Sequence, residues 1–249
     1  MLIGLVGFQF AFWIDALTYL CSGLILLRLP RVQLAPVSQS SYWTQTRAGV
    51  AYIFSDPVLR HLISAHAVSA ICIAAQMVVG VVLAVSVLEV GSAGFGAMEA
   101  TMALGAVMGT LLVPMATARL SRERLFMIGL AGCGIMIALV GAKPVFGWVL
   151  FFHFLAGIFN MVFFIPMRSL LQLRTPPELR GRTFTAFQAV VGGAALLGQG
   201  LAGIAANWFG PAAVFMIAGI GMMLVAGGVF LQGGFLRNDA PFNPEVLPR

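Results

Sequence analysis

Apolar residues run along this chain in long unbroken blocks, without the alternation or the three-to-four-residue rhythm of a water-facing domain. A bilayer core about 30 Å thick takes about 20 helical residues to cross. Seven blocks meet that length or approach it: residues 10–29, 58–87, 94–118, 125–142, 145–171, 184–208 and 211–231, each bounded by Pro, Gly or charge. The pattern predicts an all-α integral membrane protein with about seven transmembrane helices. Residues 1–7 form an apolar stub too short to cross, and with a tight turn at Gly7, Phe8 and Gln9 they read as the tail of a preceding helix. The one long connection, residues 30–57, opens in linker style with Pro36, Ser38, Ser40 and Ser41. From Tyr42 onward, Trp43, Val50, Ile53 and Phe54 recur at roughly helical spacing, with Gln45, Arg47 and Ser55 elsewhere. That suits an amphipathic helix lying on the membrane surface. Asp56 and Pro57 then supply an N-cap and a first-turn proline for the next span.

Composition confirms the solvent. Of 249 residues, 60% are hydrophobic and 9% charged, against about 25% charged in an ordinary soluble domain. A conventional soluble enzyme, a disordered chain and a disulfide-stapled secreted fold are excluded. The 29 glycines suit close helix packing in lipid. Net charge +6 would admit a nucleic-acid partner, but the positions of the charges argue otherwise. Thirteen of the 14 basic residues are arginines, and they gather in alternate loops. The groups are Arg28, Arg31, Arg47 and Arg60; Arg119, Arg122 and Arg124; Arg168, Arg174, Arg180 and Arg182; and Arg237 with Arg249. Under the positive-inside rule those loops and the C-terminal tail face the cytoplasm. Trp13, Trp148 and Trp208 then fall near outer helix ends and Trp43 in the inner loop, where an aromatic belt places them. The charge reports orientation, with no nucleic acid implied.

One span before the long connection and six after it resemble part of a twelve-span major facilitator superfamily transporter. Phe12-Trp13-Ile14-Asp15-Ala16-Leu17-Thr18-Tyr19 resembles span 6 of the drug–proton antiporter branch that includes macrolide efflux proteins and the enterobactin exporter. Asp56-Pro57-Val58-Leu59-Arg60 resembles that branch's start of span 7, and Pro177-Glu178-Leu179-Arg180-Gly181-Arg182 its loop between spans 10 and 11. The resemblance divides the chain into residues 1–29 (tail of span 5, then span 6), 30–57 (cytoplasmic inter-half linker), 58–235 (C-terminal six-helix bundle, spans 7–12) and 236–249 (cytoplasmic tail). It implies proton-coupled efflux of amphipathic small molecules across a bacterial plasma membrane, and a missing N-terminal half as partner. Ala118 to Arg124 occupies the place of the superfamily's Gly/Asp/Arg signature after span 8, with its basic half kept in Arg119, Arg122 and Arg124. These, with Glu178, Arg180, Gly181 and Arg182, are the expected cytoplasmic gating loops. Ile165-Pro166-Met167-Arg168-Ser169-Leu170-Leu171-Gln172 also resembles lysophospholipid-flipping members, which keeps a lipid substrate as the alternative. A truncated or stand-alone non-transporting half is a further one.

Ionised groups at the bilayer centre cost roughly 2.5–3.5 kcal/mol, so each polar residue within a span is a candidate. Glu99, in the outer part of span 8, is first for proton coupling. His66 in span 7 and His153 in span 10 lie near mid-membrane and titrate in the useful range. Gln76, Asn160, Gln188 and Gln199 are uncharged candidates for substrate contact, and Asp15 is expected to pair with a neighbouring helix. Gly105, Gly109, Gly193 and Gly198, together with Gly192, Gly200 and Gly203, are expected to let helices approach closely or slide. Cys21, Cys72 and Cys133 show no pairing or metal spacing. No catalytic motif is present; no enzyme activity, cofactor or metal is expected.

Overall fold

The structure, a computed structural model, describes residues 2–28 and 42–231. Arg31, the Pro36–Ser41 stretch and the 236–249 tail lie outside the described residues. Everything regular in it is helix: α1 (Leu2–Leu26), α2 (Tyr42–Ser55), α3 (Pro57–Val82), α4 (Gly91–Thr117), α5 (Arg122–Ala142), α6 (Phe146–Arg174), α7 (Arg180–Phe209) and α8 (Pro211–Leu231). A π-helical turn, Leu83–Val87, continues α3. Six helices, α3 through α8, are long and apolar enough to cross a membrane. The ends follow local chemistry. Asp56 caps α3 by accepting from the backbone N–H of Val58 at 2.7 Å and Leu59 at 3.1 Å, with Pro57 in the first turn. Ser121 caps α5. Gly210, at φ +80°, turns α7 into α8 in a conformation that other residues rarely adopt.

The first helix corrects one expectation from the sequence. α1 spans 25 residues with Asp15 its single charge, and so takes the place of the block expected over residues 10–29. The expected turn at Gly7, Phe8 and Gln9 is absent, because α1 runs through it without a break. No proline or charge interrupts Leu2–Phe10, and isolated glycines cost a helix only about 1 kcal/mol each.

By contacts, Met1–Ser41 is one compact unit and Tyr42–Arg249 another. The second unit, which contains α2 through α8, packs symmetrically. Within it α3 lies along α7 as α6 lies along α4, α3 meets α8 as α6 meets α5, and α5 lies against α8. Exchanging α3 with α6, α4 with α7 and α5 with α8 maps the arrangement onto itself, the sign of two three-helix repeats about a pseudo-two-fold axis. Glycines make the closest contacts. A Cβ on Gly105 would strike the Phe154 carbonyl across α4 and α6, and one on Gly198 would strike the Ile71 carbonyl across α7 and α3. These are equivalent contacts under the same exchange. Gly109 lies against the Ile158 carbonyl, which a Cβ would meet at 2.6 Å. Gly193 does not pack this way. Like Gly192, Gly200 and Gly203 it faces open space on α7.

The linker helix α2 is bound to the bundle on one side. Gly49 sits against the Arg182 carbonyl of α7, and Tyr52 and Ile53 are buried. Ile53 therefore leaves the expected membrane-surface stripe and joins the core, while Trp43 and Phe54 stay exposed.

Candidate functional site

Three of the sequence candidates meet in one pocket. Gln76 of α3, Glu99 of α4 and His153 of α6 line a cavity of about 120 Å³, whose walls are completed by Met77, Met102, Ile73 and Phe215 of α8. Gly80, on the turn after Gln76, also lines it and keeps that wall open. Glu99 lies eight residues into α4 from Gly91, about 12 Å along the axis, and His153 seven into α6 from Phe146, about 10 Å. Both therefore sit toward the end of the bundle opposite the arginines.

The side chains are held in defined ways. His153 is 6% exposed and Gln76 8%. Nδ1 of His153 donates to the Val149 carbonyl at 3.0 Å. A carbonyl can only accept, so the neutral ring carries its proton on Nδ1 and leaves Nε2 as an acceptor. Phe215 backs the ring at a centroid separation of 6.1 Å. Glu99 is half-buried, and among the described residues no cation pairs with it.

His66 is not part of this constellation. It lies ten residues before Gln76 on α3, about 15 Å nearer the arginine-rich end. Phe163, Phe164 and Phe187 surround its ring at centroid distances of 5.6, 6.0 and 5.5 Å. Its Nδ1 is buried without a hydrogen-bond partner, as is the Thr183 hydroxyl. The guanidinium of Arg168 lies 4.8 Å from the Phe164 ring centre. Asn160 is also elsewhere, hydrogen-bonding Cys133 of α5. Gln188 and Gln199 are exposed on α7, and Asp15 is exposed on α1.

At the arginine-rich end, Arg119, Arg122, Arg124, Glu178, Arg180 and Gly181 are exposed. Arg180 donates from Nε to the Thr175 carbonyl at 3.3 Å. The ion pair seen at this end is Arg174 with Asp56, 3.9 Å apart, beside a hydrogen bond from the Tyr52 hydroxyl to the Arg174 carbonyl. The sequence marks Asp56 as a cap and as part of the span 7 start, but not as the partner of Arg174. The one available signal was an acid at the linker's end and an arginine at the end of another span. Among the described residues no group of His, Cys, Asp and Glu is placed to hold a metal.

Comparison with curated proteins gives no match. A family model described as Major Facilitator Superfamily matches residues 88–248, more than half of the chain. The matched segment contains α4 through α8 whole, and with them Glu99, His153 and Phe215 of the pocket. With six helices of membrane-spanning length in a pseudo-symmetric bundle, the chain belongs to the major facilitator superfamily, a family of membrane transporters.

Proposed function

We propose that the chain acts in secondary active transport, as proton-coupled efflux of amphipathic small molecules by alternating access. The observation that carries this reading is the convergence of Glu99, His153 and Gln76 in one pocket between membrane-length helices. Ionisable groups at such depth are costly, and they face cavities where substrates or protons pass. Glu99 takes and releases the proton, and His153, fixed by its bond to Val149, is the neighbouring acceptor. Protonation changes the charge of the pocket and so biases one access state over the other. The pseudo-two-fold packing supports rocking of bundles about a central site. α4 and α7 are the least buried of the spans, at 17% and 11% of their apolar windows. They are related by the same exchange, and their open faces are where an N-terminal six-helix half would pack. The charge of the arginine loops supports a cytoplasmic side for them, and the resemblance of the sequence supports a bacterial plasma membrane.

The test uses inverted membrane vesicles from cells expressing the protein, energised to acidify their lumen, with a fluorescent amphipathic dye outside. Dye accumulation that ends when an uncoupler collapses the gradient supports the reading. Accumulation untouched by the uncoupler refutes proton coupling, and movement of lysophospholipid in place of the dye favours the lipid-transporting alternative.

A further inference from the structure

Helices α5 and α8 are seated closely along one half of their length and parted along the other. In the half away from the arginines, glycines bring them backbone to backbone. A Cβ on Gly134 would lie 2.7 Å from the Gly219 carbonyl, and one on Gly141 would strike the Ala212 carbonyl. Toward the arginine-bearing end the larger Met127, Ile128, Met223 and Phe230 take over, and a furrow of about 400 Å³ opens between the helices. The pseudo-two-fold exchange carries this furrow onto the glycine-packed half. The opening therefore comes from the side chains at this end and not from the fold.

The furrow is apolar, open and one leaflet deep. No polar side chain lines it. Ile128, Ala131 and Ile135 form a stripe at helical spacing on α5, and Met223, Gly227 and Phe230 face them from α8. Ile128, Ile135 and Phe230 are 47%, 41% and 59% exposed, so in a membrane the furrow is bathed by acyl chains. Arg124 continues the α5 stripe one turn beyond Ile128 and is exposed. From Arg124 to Ile135 the helix rises about 17 Å, a little over half of a bilayer core about 30 Å thick. A helix of a second copy would need a seam across the whole core, whereas this furrow ends where Gly134 meets Gly219. Arg122 and Glu123 are the other charges of the turn, so two cations face one anion there, and α8 adds no charge.

We infer that the furrow between α5 and α8 is a binding site for one anionic phospholipid of the leaflet at the arginine-bearing end. An acyl chain lies along the two stripes, and the phosphate meets the Arg124 guanidinium, whose fork can hold two of its oxygens. The net positive turn favours a head group that carries no cation of its own. The lipid is resident and not cargo, and the site stands whether or not the chain drives efflux.

The experiment is native mass spectrometry of the 249-residue chain released from detergent micelles. It is titrated with phosphatidylglycerol or phosphatidylcholine of identical acyl chains. Phosphatidylglycerol should saturate as a single tightly held molecule and bind about fivefold more tightly than phosphatidylcholine, the worth of one arginine beside an anionic lipid. Arg124→Gln, an exposed change, should bring the two lipids level. Gly227→Leu fills the furrow, and a Cβ there meets nothing within 4 Å, so the bundle is left undisturbed. It should lose the tightly held lipid, while Gly192→Leu, equally unobstructed on α7, should keep it. Equal affinity for the two lipids, uptake that never saturates (annular lipid only), or binding unchanged in Gly227→Leu overturns the site. A dimer that Gly227→Leu dissociates overturns it too, because a second copy is then the occupant. Full displacement of the lipid by glycerol phosphate does the same, because the furrow then adds nothing.

Discussion

The Tyr52 hydroxyl donates a 2.5 Å hydrogen bond to the backbone carbonyl of Arg174, and so fastens the linker helix α2 to the last turn of α6. Carbonyls in a helix's last turn have no partner within the helix, so Tyr52 fills a real vacancy in the backbone ladder. Arg174 returns the contact through its guanidinium, 3.9 Å from the Asp56 carboxylate that caps α3. Three helices thus meet through three residues, Tyr52, Arg174 and Asp56. Tyr52→Phe is expected to lower stability by about 1 kcal/mol, the net worth of one such bond, measured by denaturant titration in mild detergent.

Asp56 separates a cap from an ion pair. The pair is long and partly exposed, worth about 0–1 kcal/mol, while loss of the cap costs about 1 kcal/mol. Asp56→Asn keeps a capping oxygen and should unfold almost as the native chain does. Asp56→Ala should be destabilised by about 1 kcal/mol or more. Equal losses in both variants would mean that the ion pair dominates.

Tyr52 should also titrate late. Burial, then the Asp56 carboxylate, pushes its phenol above the ordinary value, with Arg174 opposing in part. A folded pKa above the unfolded one favours the neutral phenol. The corresponding stability is fully present below about pH 10, the unfolded value, and is lost as pH rises through the folded value. Phenolate absorbance should therefore contain a late-rising component that Tyr52→Phe removes.

Two classes of glycine should respond oppositely to alanine. Gly105→Ala and Gly198→Ala push a methyl group into the carbonyls of Phe154 and Ile71, and overpacking of this kind costs about 1–3 kcal/mol. Gly192→Ala and Gly193→Ala meet open space and should gain up to about 1 kcal/mol of helix propensity. Thermal unfolding of the four variants checks the contrast.

His66 lies outside the pocket, and its orphaned Nδ1 among three phenylalanines is a burden on the fold. His66→Leu is expected to leave the melting temperature unchanged or higher, since an unsatisfied buried polar atom costs about 1–3 kcal/mol. Dye transport should persist. Loss of transport with an intact fold would return His66 to the transport pathway.

Span positions were legible because membrane crossing is written in composition. Predicted 211–231 is α8 as observed, and predicted 58–87 is α3 with its π turn to within one residue. The first helix departs from expectation at Gly7, where no residue commits the chain to a turn. Site residues were legible only as a set of polar positions. That Glu99, His153 and Gln76 converge while Asn160 and Gln199 do not depends on helix rotation, which near-uniform apolar faces leave unspecified, whereas His66 is set apart by its depth on α3. Gly193 and Gly198 show the same limit. Both are glycines of α7, and packing against α3 alone separates their roles.

Glu99→Gln in energised inverted vesicles tests the central claim most directly, with dye accumulation measured beside downhill dye movement after the gradient is dissipated. The glutamine variant should reach the membrane at native levels and lose gradient-driven accumulation. Downhill movement should continue, because the isosteric amide keeps the pocket's shape but cannot carry the proton. Accumulation at the native rate in Glu99→Gln would contradict the account.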